Sequence, residues 1–243
     1  MHIRKIHFLV DDYPTDSYYP FNLSRFRETP ALEFRAPVTL FVGENGSGKS
    51  TLLRAITRRC GIHIWKTIET TRYEINPYEE LLGHFIEVEW VNGYVPGAFF
   101  SSEMFHDFAR NLDEWAAADP GTLKYFGGKS LMTQSHGQSL MSYFQARYRI
   151  EGLYLLDEPE TALSPRSQLA MLDLLEREGK AGHAQFIIAT HSPILLACPG
   201  ATIYTFDRVP IQEVAYRDTD HYRLYRDFMK KMERKLEPDE KRG

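Results

Sequence analysis

The stretch Gly43-Glu44-Asn45-Gly46-Ser47-Gly48-Lys49-Ser50-Thr51 constrains the fold of this chain more than any other feature. It satisfies G-x-x-x-x-G-K-[ST] with Gly43, Gly48, Lys49 and Ser50, a pattern that works as the turn from a strand into a helix. Both flanks agree. The run before it, "PVTLFVG", is β-branched and aromatic; after it Leu52, Leu53 and Ile56 recur at helical spacing, and Gly61 after Cys60 offers a left-handed cap. In such a turn glycines let backbone N–H groups close around phosphate oxygens, and the helix N-terminus adds its positive dipole end. Lys49 then reaches the β- and γ-phosphates of a nucleoside triphosphate and the Ser50 hydroxyl ligates Mg²⁺, with Asn45, Gly46, Ser47 and Thr51 completing the binding set.

Two further strands end in residues suited to the same chemistry. "LYLLDEPE" places Asp157 and Glu158 at the end of an apolar run, the edge of an open α/β sheet at which ligands collect. There Asp157 is the second Mg²⁺ candidate and Glu158 the carboxylate that orients or deprotonates attacking water. "QFIIATHSP" ends in His191, which lies on the same sheet edge and becomes a γ-phosphate contact. Apolar strands alternating with helical segments mean a largely parallel, covered sheet. The N-terminal runs "IRKIHFLV" and "FIEVEWV" alternate instead, as strands with one covered face do. Helices are expected over about 103–118, from just after Gly137 toward Arg147, over about 165–177 and from about His221.

"TQSHGQSL", Thr133 to Leu140, pairs a serine with a histidine and so raises a hydrolase reading. A nucleophilic serine needs a base held at hydrogen-bond reach by a third group, which adjacent residues at a loop-to-helix junction do not provide. Ser135 and Gly137 offer a second helix N-terminus able to meet an anion.

No apolar run approaches the ~20 residues that span a bilayer, and the start "MHIRKIHFLVDDY" does not read as a secretory leader, so a cytoplasmic protein is expected. Cys60 and Cys198 lack metal-ligand spacing and read as reduced core fillers. A net charge of -4 gives no global footprint for nucleic acid, and the basic run Lys230, Lys231, Arg234, Lys235 reads as the solvated face of a C-terminal helix.

With Gly43 to Thr51, Ser135 to Gln138, Asp157-Glu158 and His191 in this order, the chain resembles an ABC-type ATPase nucleotide-binding domain. The loop "ENGSGKST" and the strand before it look most like the RecF and SMC-like branch. The resemblance implies a P-loop NTPase fold of ABC-ATPase type over 1–243. Its largely parallel sheet would carry an antiparallel N-terminal β part and a short helical lobe over about 103–148. It implies ATP and Mg²⁺ as cofactors and Glu158, His191 and Lys49 as catalytic residues. The family's helix-opening signature LSGGQ stands here as "QSHGQ", Gln134 to Gln138, and "TALSP" from Thr161 looks like its D-loop. In the family two domains assemble head to tail around two ATP molecules, so Ser135, Gly137 and Gln138 of one copy would meet the phosphates of the other. Two departures stand out: His136 replaces a glycine, and no glutamine follows the strand before the lobe, where "FFSSEMF" offers Glu103 as the nearest polar residue.

The expected function is an ATP-hydrolysing homodimer that switches a partner or DNA, with DNA repair, chromosome maintenance or defence as settings. The stretch between Glu103 and Ser135 is too short for coiled-coil arms, so a DNA role needs a nuclease or repair partner or direct contact. The competing expectation, less favoured, is the ATP-binding subunit serving a membrane permease.

Overall fold

Three strands of five or six residues are buried at every position: Val38–Val42 (β3), Gly152–Asp157 (β6) and Ala184–Ala189 (β7). Strands that apolar along their whole length need cover on both faces, and alternate side chains go to two different cores. Phe41, Leu153, Leu155 and Ile187 join one; Leu40, Tyr154, Leu156 and Ile188 join the other. With Gly97–Ser101 (β5), Thr202–Thr205 (β8) and Gln212–Glu213 (β9) they form a six-stranded sheet in the order β5-β6-β7-β3-β8-β9. Five strands run parallel and β9 is antiparallel to β8. The computed structural model describes residues 1–64, 76–119, 121, 123 and 136–236, without the side chains of residues 103, 106, 107, 109, 113 and 136.

The first face is covered by the helix Lys49–Arg59 (α2) and by an antiparallel sheet in the order β2-β1-β4, made of Ile3–Phe8 (β1), Ala31–Glu33 (β2) and Ile86–Trp90 (β4). A buried amide ties the two sheets together. Gln185 of β7 accepts the N–H groups of His2 (2.7 Å) and Ile3 (2.8 Å) and donates to the Ile3 carbonyl (2.9 Å). A buried polar side chain is tolerated when its hydrogen bonds are made, and these also fix how β1 sits against β7.

The second face is covered by Ser102–Ala118 (α3), His136–Arg147 (α4) and Pro165–Ala181 (α5). Leu140 and Phe144 of α4 and Met171, Leu174 and Leu175 of α5 sit at helical spacing and are all fully buried or nearly so. Ser164 caps α5 by accepting the Ser167 N–H at 3.2 Å, and Gly182 ends it at φ +80°. Thus α5 continues four residues beyond the expected end near Arg177. The helix expected just after Gly137 begins at His136, which puts Gly137 inside its first turn.

Short helices Ser24–Glu28 (α1) and Pro193–Leu196 (α6) lie near the sheet's carboxyl edge, and Asp220–Leu236 (α7) closes the described chain. The basic residues 230, 231, 234 and 235 are exposed on α7 as expected. So, unexpectedly, are Leu224, Tyr225, Phe228 and Met229, and no residue of α7 is buried. Among the described residues no helix is long and apolar enough to cross a membrane. Cys60 and Cys198 are buried and free, their thiols pushed up to about 12 and about 11 by burial.

Candidate functional site

The loop from Gly43 leads out of β3 directly into α2. Gly48 stands at φ +93°, and a Cβ there would lie 2.9 Å from the Phe26 ring, so both conformation and space demand glycine. Asn45 and Gly46 are exposed at the apex; Ser47 and Lys49 are buried. The Lys49 ammonium donates to the carbonyls of Gly43 (2.6 Å) and Glu44 (3.0 Å). Burial lowers its pKa, opposed by the carboxylates of Glu158, Asp207 and Asp157. Segment 19–26 braces the loop from outside: Arg25 Nη1 donates to the Ser47 carbonyl at 2.6 Å and the Tyr19 hydroxyl bonds that of Thr51. Asp207, just past β8, accepts the Glu44 N–H at 2.8 Å.

Ser50 Oγ donates to Asp157 Oδ1 at 2.7 Å, and Arg54 Nη2 lies 3.5 Å from Asp157 Oδ2. The loop and the end of β6 are therefore in direct contact. A hydroxyl and a carboxylate side by side are the hard oxygen ligands that Mg²⁺ takes when it also binds phosphates. Among the described residues the buried Ser47 hydroxyl in the same loop has no hydrogen-bond partner, as suits a group facing a phosphate cradle. The residues present fit a Mg²⁺-bound triphosphate.

Register brings three strand ends together, since Asp157 pairs with Ala189 on one side and Ser101 on the other. Directly after Asp157, Glu158 adopts φ +45° and ψ 54°, and it is the one positive-φ residue other than glycine among those described. A left-handed glutamate costs roughly 1–2 kcal/mol, and such strain gathers where function needs a side chain aimed. Its carboxylate faces His191: Glu158 Oε1 and His191 Nε2 are 3.6 Å apart, beyond hydrogen-bond range. Burial, then the charge of Lys49, lowers the His191 pKa, so its imidazole is neutral at neutral pH. The loop from Gly43, the Ser50–Asp157 pair, Glu158 and His191 thus share one sheet edge.

The segment 21–61 matches the family described as "AAA domain", and 129–197 the family described as "AAA domain, putative AbiEii toxin, Type IV TA system". Two solved structures share the fold over most of their length. One is entitled "An inward-facing conformation of a putative metal-chelate type ABC transporter". It is 18% identical with a TM-score of 0.52, covering 93% of this chain and 88% of that one. The fold is that of a P-loop ATPase domain of ABC type. The other is cbiO1 from Clostridium perfringens, described as part of the ABC transporter complex cbiONQ, 17% identical over 86% of this chain and 89% of that one, with a TM-score of 0.50. The SMC head domain from Thermotoga maritima is 16% identical over 88% of this chain and 99% of that one, with a TM-score of 0.48. No curated protein matches the sequence.

On this fold the remaining expectations fall unevenly. Gln134 and Ser135 lie outside the described residues, and of His136 only the backbone is described. Gly137 and Gln138 open α4, with a Cβ on Gly137 reaching the Ala162 carbonyl at 3.7 Å and Ser167 Oγ at 3.8 Å. Glu103, the polar candidate at the glutamine position, is the second residue of α3; its side chain is not described. The strand ends earlier, at Ser101, which pairs in register with Asp157, and the next residue, Ser102, accepts the Thr161 hydroxyl at 2.6 Å. Among the aromatic residues upstream of the loop, Phe21 is wholly buried and Tyr13 packs edge-on against it at 4.8 Å while donating to the Phe26 carbonyl.

Around His191 and Asp157 three further side chains escaped the sequence reading. Glu160 Oε1 accepts the His191 backbone N–H at 2.6 Å, its carboxyl pKa raised by burial. His221 Nε2 lies 3.2 Å from His191 Nδ1, and Arg54 reaches Asp157. Of these only Glu160 had a signal, as the third acid in "DEPE" two residues past Glu158.

Proposed function

We propose that this chain hydrolyses ATP and that its ATP-bound form, a head-to-tail pair of copies, switches a partner. The observation that carries the reading is the strained Glu158 carboxylate facing His191 Nε2, one residue past the Asp157–Ser50 pair. Lys49 exchanges the Gly43 and Glu44 carbonyls for β- and γ-phosphate oxygens. Ser50 and Asp157 would hold Mg²⁺, which would neutralise charge on those oxygens. Glu158 positions the attacking water and takes its proton, while neutral His191 donates to a γ-phosphate oxygen. Asn45, Gly46, Ser47, Gly48 and Thr51 line the phosphates through backbone and hydroxyl groups.

Ser135, Gly137 and Gln138 of one copy complete the site of the other, so dimerisation reports bound ATP. The partner this reading favours is DNA or a DNA-acting protein such as a nuclease, in a cytoplasmic repair, chromosome-maintenance or defence setting. The AbiEii description of the match over 129–197 supports the last of these. Service to a membrane permease is the second reading, favoured by the transporter titles of the two structures sharing the fold.

Glu158→Gln separates binding from turnover. ATP affinity is expected to stay within about threefold, hydrolysis to fall on the order of 10³-fold, and a dimer to accumulate by light scattering in Mg-ATP. Single turnover at the wild-type rate would overturn the assignment. The trapped variant, pulled from native cells, is expected to bring DNA or a DNA-acting protein; an integral-membrane permease instead would establish the second reading.

A further inference from the structure

The contact between His191 and His221 joins the sheet edge to the first turn of α7, thirty residues downstream. Two imidazole nitrogens 3.2 Å apart share one proton, because two N–H groups cannot point at each other. The proton therefore sits either on His221 Nε2 or on His191 Nδ1, and the surroundings choose. If His191 carried it on Nδ1, its Nε2 would turn a bare lone pair toward the Glu158 carboxylate 3.6 Å away. Two negative centres would then face each other with no proton between them. If His221 carries it on Nε2, His191 Nδ1 accepts and His191 Nε2–H points at the carboxylate, an attractive arrangement that a γ-phosphate would strengthen.

The other nitrogen of His221 agrees. His221 Nδ1 is buried with no hydrogen-bond partner among the described residues, so no acceptor draws the proton to that side. Burial and the nearby Lys49 ammonium also disfavour a second proton on His191.

We infer that His221 is a positioning residue, holding His191 as the tautomer whose Nε2–H faces Glu158 and the transferred phosphate. The inference rests on the ATPase reading for its consequence, since only there is His191 a donor to substrate. His221 touches no reacting atom; it acts through His191, and so makes α7 part of the hydrolytic apparatus. Fixing the tautomer of a functional histidine through its far nitrogen is worth about 10- to 100-fold in activity at metal sites, and the lower end suits a partly exposed pair.

Two readouts test this on the full chain. Nitrogen-15 histidine spectra are expected to show His191 as the Nε2–H tautomer. Its signal, one among nine histidines, is assigned by its loss in His191→Gln. In His221→Leu that tautomer should give way to a mixture, and in His221→Gln, whose amide N–H replaces the donor, it should persist. An Nδ1–H tautomer in the wild type, or an unchanged spectrum in His221→Leu, would overturn the inference. In hydrolysis, His221→Leu is expected to lower kcat about 10-fold with the ATP KM within about twofold, His221→Gln to recover most of the loss, and His191→Ala/His221→Leu to be no slower than His191→Ala. Wild-type kcat in His221→Leu, with Glu158→Gln inactive, overturns the positioning role alone. Wild-type turnover in Glu158→Gln overturns the ATPase reading and the role with it, while the spectra still decide the tautomer.

Discussion

Gly48 and Gly137 open two helices that both point at phosphate in the proposed reading, and the fold treats them differently. Gly48 is demanded by its own chain: φ is +93° and a Cβ would sit 2.9 Å from Phe26 and 3.1 Å from Leu23. Gly137 lies in ordinary helical backbone, and among the described residues a Cβ there would meet nothing closer than 3.7 Å. A glycine that folding does not require costs helix stability for no local return. The first glycine is explained by packing inside the molecule; the second wants an explanation outside it, as the surface of a partner copy would provide.

The largest expected effect falls on the first. Gly48→Ala forces a left-handed alanine against the Phe26 ring and is expected to cost about 2–4 kcal/mol of stability, read by denaturant unfolding. Bound Mg-ATP should restore little, because the distorted turn is the phosphate cradle of the proposed reading. An alanine variant as stable as the wild type would mean that the loop, Leu23 and Phe26 relax freely, and the contrast with Gly137 would vanish.

Gly137→Ala should invert the pattern. Alanine in a first helical turn is neutral or stabilising by up to about 1 kcal/mol, so the monomer is expected to melt no lower than the wild type. In the Glu158→Gln background, where the proposed ATP-bound dimer is expected to accumulate, the added methyl is expected to weaken dimerisation by about tenfold, measured by sedimentation in Mg-ATP. A dimer of unchanged affinity would remove Gly137 from the interface. A loss of monomer stability would show that the fold needs this glycine after all.

The same distinction explains what could be read from sequence. Gly43 to Thr51 is legible because its chemistry is local: one strand, one turn and one helix carry it. Asp157, Glu158 and His191 are legible through a simple rule, an apolar run ending in a polar residue, and register then places β6 beside β7. The same rule applied to "GAFFS" would have found Ser101, since β5 ends beside Asp157 on the other side. Glu103 was chosen instead because sequence alone does not say where a strand stops and a helix begins. Arg54 and His221 were out of reach, because their contacts depend on how α2 and α7 are set against the sheet. Likewise the exposed apolar residues of α7 were hidden in a segment whose charges suggested a solvated face.

Glu160 gives the smallest and most specific contrast. Its carboxyl is held inside the turn between Glu158 and α5, where burial raises its pKa above the ordinary 4.5 while Oε1 accepts the His191 N–H. A folded carboxyl that keeps its proton to higher pH than the unfolded one contributes stability that is full below about pH 4.5 and is lost as pH rises through the folded value. Glu160→Gln keeps an oxygen for the His191 N–H and has no proton to lose. The stability difference between glutamine and glutamate should therefore be constant in acid, grow in favour of glutamine as pH rises, and level off once the wild-type carboxyl is ionised. Denaturant unfolding of both proteins from about pH 4 to about pH 8 reads this directly, since every other titrating group is common to the pair. Parallel curves would show that Glu160 ionises as easily folded as unfolded. That would leave its bond to His191 as the coupling of an ordinary carboxylate, with the burial of the turn playing no part.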